Sequence, residues 1–256
     1  MTDESHEFVR PDSDNISLAD DQQWWDKRSA LDPLAAVLDP ADEHGRRNAH
    51  MHGIHSAALR RFARFGREDH VLDFGCGNGR LSRVIAPRVG RVTGVDISSE
   101  MIGSAKQLSA GMSCDYLAFD GERLPFPADA FDGAVTGVVL QMYYDQPDRF
   151  RLIVTELART LRPGAAIWMI ERAVPRDGEN GWSLGRWEDE LSECGIRLVG
   201  SHPVRSGATT RTGKFVVSER FPRPLMGIAA RVDLALARRR GIAEPYTEVL
   251  IHATRL

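Results

Sequence analysis

The sequence predicts a doubly wound α/β domain built on a mostly parallel sheet, preceded by a helical cap. Three observations carry that prediction. From Gly66 onward short apolar runs alternate with helix-length segments, as in a parallel sheet covered on both faces. The first run ends in a glycine-rich turn, and the next two end in acids. Upstream, residues 43–65 contain no proline and repeat apolar side chains at helical spacing.

Taken in order, residues 1–21 hold seven acids and one arginine, a composition that predicts a disordered tail. Residues 22–65 form the predicted cap. Its first part is aromatic and aliphatic and breaks at Asp39-Pro40; its second is a helix with Ile54, Ala58, Phe62 and Phe65 on one face. Residues 66–256 form the predicted main domain. Strands are expected at 71–74, 91–95, 114–119, 133–136, 166–170, 196–204 and 246–254. Helices are expected from the glycine turn to about 86, and over 99–109, 147–161 and 184–194, with Ser98 or Ser99 as an N-cap and Gly195 as a stop. A basic helical insertion is expected at about 221–240. It carries Leu225, Ile228, Ala229, Val232 and Leu236 on one face, which is expected to dock on the domain or a partner subunit rather than a membrane surface.

Composition narrows the function classes. The 256 residues are 42% hydrophobic, with 33 basic and 36 acidic side chains and a formal charge of −3. That balance gives no electrostatic footprint for nucleic acid. Cys76, Cys114 and Cys194 form no C-x-x-C pair, so neither a disulfide framework nor a metal site is expected. The start, Met1-Thr2-Asp3-Glu4, has no signal-peptide pattern, and no apolar run reaches membrane-spanning length. A cytoplasmic location is expected.

The most informative stretch is Val71-Leu72-Asp73-Phe74-Gly75-Cys76-Gly77-Asn78-Gly79-Arg80. A strand running into glycines and then a helix brings backbone close to a ligand at the carboxyl end of the sheet. The dinucleotide pattern G-x-G-x-x-G fails, because Arg80 stands at the third glycine position and the last glycine is Gly79. Asp73 places a carboxylate where a pyrophosphate is repelled and an ammonium group is attracted. No Gly-Lys-Ser/Thr follows, which excludes a P-loop. Asp96 follows the second strand, positioned to accept both hydroxyls of a ribose.

These residues resemble the class I S-adenosylmethionine-dependent methyltransferases, in the branch similar to quinone-biosynthesis enzymes (methyltransferase type 11). The likeness is strong from about Val71 to Ile170, through D-x-G-C-G-x-G at Asp73–Gly79 and D-x-E-x-L-P-F-x-x-x-x-F-D at 120–132. It implies a Rossmann-like seven-stranded sheet with an antiparallel last strand, and S-adenosyl-L-methionine as cofactor. Carried over position by position, Asp73, Gly75, Cys76, Gly77 and Gly79 hold the methionine end. Asp96 takes the ribose, Ile97 and Met101 flank the adenine, Asp120 and Gly121 meet its edge, and Val138 touches the cofactor.

The implied activity is methyl transfer to a small-molecule acceptor (a metabolite, sugar or natural-product intermediate), with proximity and orientation as the main contribution. A non-catalytic cofactor-binding protein is the alternative from another class, and a dehydrogenase a distant third. Gln141, Tyr143 and Asp145 follow the fourth strand and are candidates to meet the acceptor. His52 and His55, spaced i, i+3 in a cap that also holds His44 and His50, are candidate bases. Arg47 or Asn48 is placed to reach the methionine carboxylate. Trp24 and Trp25 are read either as a lid or as an anchor for the tail.

Overall fold

The computed structural model describes residues 17–178, 181–206, 211–243 and 245–256. Residues 1–16, most of the expected acidic tail, lie outside the described residues. The end of that stretch is helical: α1 (Leu18–Arg28) begins within it, closed by a capping box in which the Ser17 hydroxyl accepts from the Asp20 amide and Asp20 accepts from the Ser17 amide. The short α2 (Pro33–Val37) and the long α3 (Arg46–Phe62) complete the helices before the sheet.

Seven strands follow: β1 (His70–Phe74), β2 (Arg91–Asp96), β3 (Cys114–Ala118), β4 (Phe131–Gly137), β5 (Leu161–Ala173), β6 (Ile196–Ser206) and β7 (Thr247–Arg255). They form one sheet in the order β3-β2-β1-β4-β5-β7-β6. The first five pair in parallel, and β7 runs antiparallel between β5 and β6. The doubly wound, mostly parallel architecture with an antiparallel last strand is therefore as the sequence implies.

The intervening helices are α4 (Ser82–Ile85), α5 (Ser99–Leu108), α6 (Pro147–Thr160), α7 (Leu184–Glu193), α8 (Arg211–Val216) and α9 (Met226–Arg240). Ser98 caps α5 by accepting from the Met101 amide. The helix expected from the glycine turn to about residue 86 starts later, at Ser82, and runs on into a 3₁₀ turn over Ala86–Arg88. Two apolar layers sandwich the sheet. Leu72 and Phe74 join Phe150, Leu157 and Trp187 of α6 and α7 on one face; Val71 joins Ile54, Leu59, Ile85 and Leu234 of α3, α4 and α9 on the other. Successive β1 side chains thus serve opposite layers.

The helical insertion needs a correction. It packs on α3 and β6 through Met226, Ala230, Leu234 and Ala237, while Leu225, Ile228 and Val232 of the expected docking face are exposed. Gly53 explains the choice: a Cβ there would stand 3.1 Å from Ala230, so small residues let α3 and α9 approach. No described helix is long and apolar enough to cross a membrane.

Candidate functional site

The carboxyl ends of the parallel strands lie along one edge of the sheet, and the strand order reverses between β1 and β4, where open α/β sheets bind ligands. A cavity lies at that point. Its walls are the turn after β1 (Asp73, Gly75, Cys76, Gly77), the end of β2 (Asp96, Ile97), the end of β3 (Phe119, Gly121) and the end of β4 (Val138, Val139). Three of the strand-end motifs singled out in sequence therefore meet around one space.

The turn has the backbone its glycines require. Gly75 sits at φ +65°, and a Cβ there would come within 2.5 Å of Val139. The Asp73 side chain is buried; its Oδ2 accepts from the Ser82 hydroxyl at 2.5 Å. Burial raises its carboxyl to about 6. Asp96 binds the loop back to the sheet, its Oδ2 accepting from the Gly77 amide at 2.8 Å and its Oδ1 from the Ser98 amide at 3.0 Å. Burial pushes its carboxyl up as well. Cys76 is buried, and burial pushes its thiol well above the ordinary range, which disfavours the thiolate.

Not every expected contact reaches the cavity. Asp120 is exposed and its Oδ1 accepts from the Glu122 and Arg123 amides, while its neighbours Phe119 and Gly121 form the wall. Met101 is buried within α5 and Gly79 within the turn, where a Cβ would meet the Tyr116 hydroxyl at 2.5 Å. Leu18 and Trp25 of α1 and Val37 of α2 close over the opening. Asp26 holds α1 down by accepting from the Ser98 hydroxyl at 2.5 Å. Trp25 thus covers the cavity, and Trp24 packs edge-on against it at 4.6 Å.

A second, larger cavity of about 630 Å³ lies between α3, α9 and the ends of β5–β7. Val138 lines both cavities. It is a β-branched residue at φ +66°, a conformation costing on the order of 1–3 kcal/mol unless its surroundings impose it. Glu171 supplies the constraint. Fully buried at the end of β5, its carboxylate accepts from the amides of Leu140 at 3.1 Å, Gln141 at 3.0 Å and Val139 at 3.4 Å. Sequence reasoning passed over Glu171, although an acid directly after the apolar run 166–170 was a readable signal. Gln141 itself is buried behind this loop, Tyr143 lines the smaller cavity, and Asp145 is exposed.

The histidines sort differently from their spacing. His55 is buried, with Nε2 2.9 Å from Glu248 and Nδ1 accepting from Arg80 at 3.2 Å, so both ring nitrogens are engaged. His52 touches neither cavity, and burial together with Arg80 lowers it to about 4. His50 is the one on the larger cavity's wall: its Nε2 faces Asp233 at 2.8 Å, and its Nδ1 is buried with no partner. Asn48 is occupied with the Asp39 backbone, and Arg47 pairs with Asp39 beside the larger cavity, so neither reaches the smaller one. Among the described residues no group of three potential ligands is placed to hold a metal ion.

Comparison with known proteins agrees with this geometry. A family model described as a methyltransferase domain matches residues 72–169. The chain is 27% identical over 176 residues to a fatty-acid O-methyltransferase of Mycolicibacterium smegmatis, covering 67% of this chain and 58% of the relative. It is 30% identical over 153 residues to a ubiquinone biosynthesis O-methyltransferase of Dechloromonas aromatica, covering 57% and 56%. The chain thus spans somewhat more than half the length of these two relatives. In fold it is similar to geranyl diphosphate C-methyltransferase from Streptomyces coelicolor A3(2), with a TM-score of 0.63, 14% identity and coverage of 95% and 100%.

Proposed function

We propose that the chain, whose residues 72–169 match a methyltransferase domain, is a class I S-adenosylmethionine-dependent methyltransferase that transfers the methyl group of S-adenosyl-L-methionine to a small-molecule acceptor. The observation that carries the reading is the meeting of two cavities at Val138, one built from the strand-end motifs and one large enough for an acceptor.

The donor set of the smaller cavity fits a cationic amino-acid nucleoside. Two recessed carboxylates, Asp73 and Asp96, line it, and burial raises both; an ammonium group and ribose hydroxyls would relieve that cost. Asp96 uses one lone pair of each oxygen on amides, leaving others for hydroxyl donors. Ile97 and Phe119 offer apolar surface to a base. With α1 in place only about 80 Å³ is open, well under the roughly 300–1,000 Å³ of ordinary ligand sites. Leu18 and Trp25 of α1 border that space, so their withdrawal would enlarge it.

The cofactor supplies a methyl already activated by its sulfonium charge. The protein's part is to hold an acceptor in line and to keep water out. Glu171 fixes the loop that carries Val138, and so fixes the boundary between the two spaces. Where the acceptor atom carries a proton, His50 is the candidate to receive it, as the histidine on the larger cavity's wall, with Asp233 2.8 Å from its Nε2 to steady a charged ring.

Titration calorimetry with S-adenosylhomocysteine, followed by transfer of labelled methyl to a panel of small acceptors, tests this reading. Saturable binding and labelled product are expected. Absence of cofactor binding overturns it; binding without turnover on any acceptor leaves only the non-catalytic alternative.

A further inference from the structure

The larger cavity is electrically unbalanced. Its walls carry five permanent cations (Arg47, Arg172, Arg205, Lys214 and Arg240) against three carboxylates, Asp39, Asp233 and Glu248. Each carboxylate is already engaged: Asp39 with Arg47, Asp233 with His50, and Glu248 with Arg205 and His55. Arg172, Lys214 and Arg240 have no carboxylate partner among the described residues.

Arg172 is the informative member. In the sheet its Cα pairs with that of Glu248, which in turn pairs with Arg205. The three form a cross-strand row, arginine–glutamate–arginine, on one face. Glu248 gives both oxygens to Arg205, at 2.9 and 2.6 Å, and Oε2 also to His55 at 2.9 Å. Arg172 is left beside a carboxylate that has turned away from it. Its guanidinium lies 4.5 Å over the Tyr246 ring, and its Nε is buried with no hydrogen-bond partner. Among the described residues nothing across the sheet neutralises this guanidinium, and an uncompensated cation in a cavity wall is costly, so an anionic group in the cavity would complete the row. Between these charged groups the wall also carries Leu38, Met51, Ile54, Val138 and Leu236.

We propose that the acceptor bears an anionic group, a carboxylate or phosphoryl on a mostly apolar body, and that Arg172 seats it while Lys214 and Arg240 attract it from the mouth of the cavity. This rests on the reading of the larger cavity as the acceptor site. A planar guanidinium binds either oxyanion through paired N–H bonds, and the unpaired cations around the cavity raise the local concentration of a negative ligand.

Decanoate, decyl phosphate and decanol separate charge from chain, and calorimetry on the full chain reads their binding with and without S-adenosylhomocysteine. One or both anions should bind at least ten-fold more tightly than decanol, and the preference should shrink as salt rises. Arg172→Gln should remove most of that preference, Arg172→Lys should restore part of it, and neither should change S-adenosylhomocysteine affinity. Equal binding of the three probes by the unaltered protein, or an undiminished anion preference in folded Arg172→Gln, overturns the proposal. Loss of cofactor binding by the unaltered protein would instead count against the methyl-transfer reading, because the anion comparison is made without cofactor as well.

Discussion

Glu248→Gln puts the buried charge network to a quantitative test. Glu248 is 5% exposed and answers Arg205 and His55 together. A carboxamide has one oxygen to offer, so its NH₂ group must confront either the Arg205 or the His55 donor. Removing one partner of a buried ion pair costs about 3–5 kcal/mol, which at roughly 2–4 °C per kcal/mol for a chain of this size is a fall of roughly 6–20 °C in Tm. The pH dependence has a fixed sign. Arg205 and His55 hold the Glu248 carboxyl far below its ordinary 4.5 despite the opposing effect of burial. Its contribution is therefore complete above that value and lost as pH falls through the folded-state pKa. Urea unfolding of both proteins from pH 7 to pH 3 should show the full gap at pH 7 and a narrowing gap below about pH 4.5. A loss under about 1 kcal/mol at pH 7, or a gap that does not change with pH, would refute the assignment of Glu248 as the neutralising centre.

Three further outcomes are expected. Asp96→Ala should weaken S-adenosylhomocysteine binding by about 1–3 kcal/mol, through lost hydroxyl acceptors and a freed Gly77 amide; calorimetry checks it, and unchanged affinity counts against the ribose assignment. Asp73, raised to about 6 by burial, must be ionised to attract an ammonium group, so affinity should hold above pH 6 and fall up to ten-fold per unit below it; a flat profile between pH 5 and 8 removes Asp73 from the binding set. Gly75→Ala meets Val139 at 2.5 Å and a left-handed backbone, an expected cost of at least about 1 kcal/mol. A cofactor affinity equal to that of the unaltered chain would show that the turn has room to spare.

Pattern along the chain was enough to place the sheet, the glycine turn and the strand ends that approach one another. Those features are local: a run of β-forming residues, a positive φ that glycine accepts, an acid at the end of a strand. It also named Asp73, Gly75, Cys76, Gly77, Asp96, Ile97, Gly121 and Val138, all of which line the smaller cavity. Local pattern misled where two faces of one helix looked equally able to pack. In α9 the stripe with the larger apolar residues is exposed, because close approach to Gly53 selected the one containing Ala230. The histidines show the same limit: their spacing pointed to His52 and His55, yet the third dimension sets His50 against Asp233, 183 positions away. Charge pairing in the larger cavity was hidden for that reason too. Whether Glu248 answers Arg205 or Arg172 depends on strand register and side-chain rotamer across β5, β7 and β6. Electrostatic partnership falls off with distance in space and takes no account of distance along the chain, so only the folded sheet could decide which arginine was left without a partner.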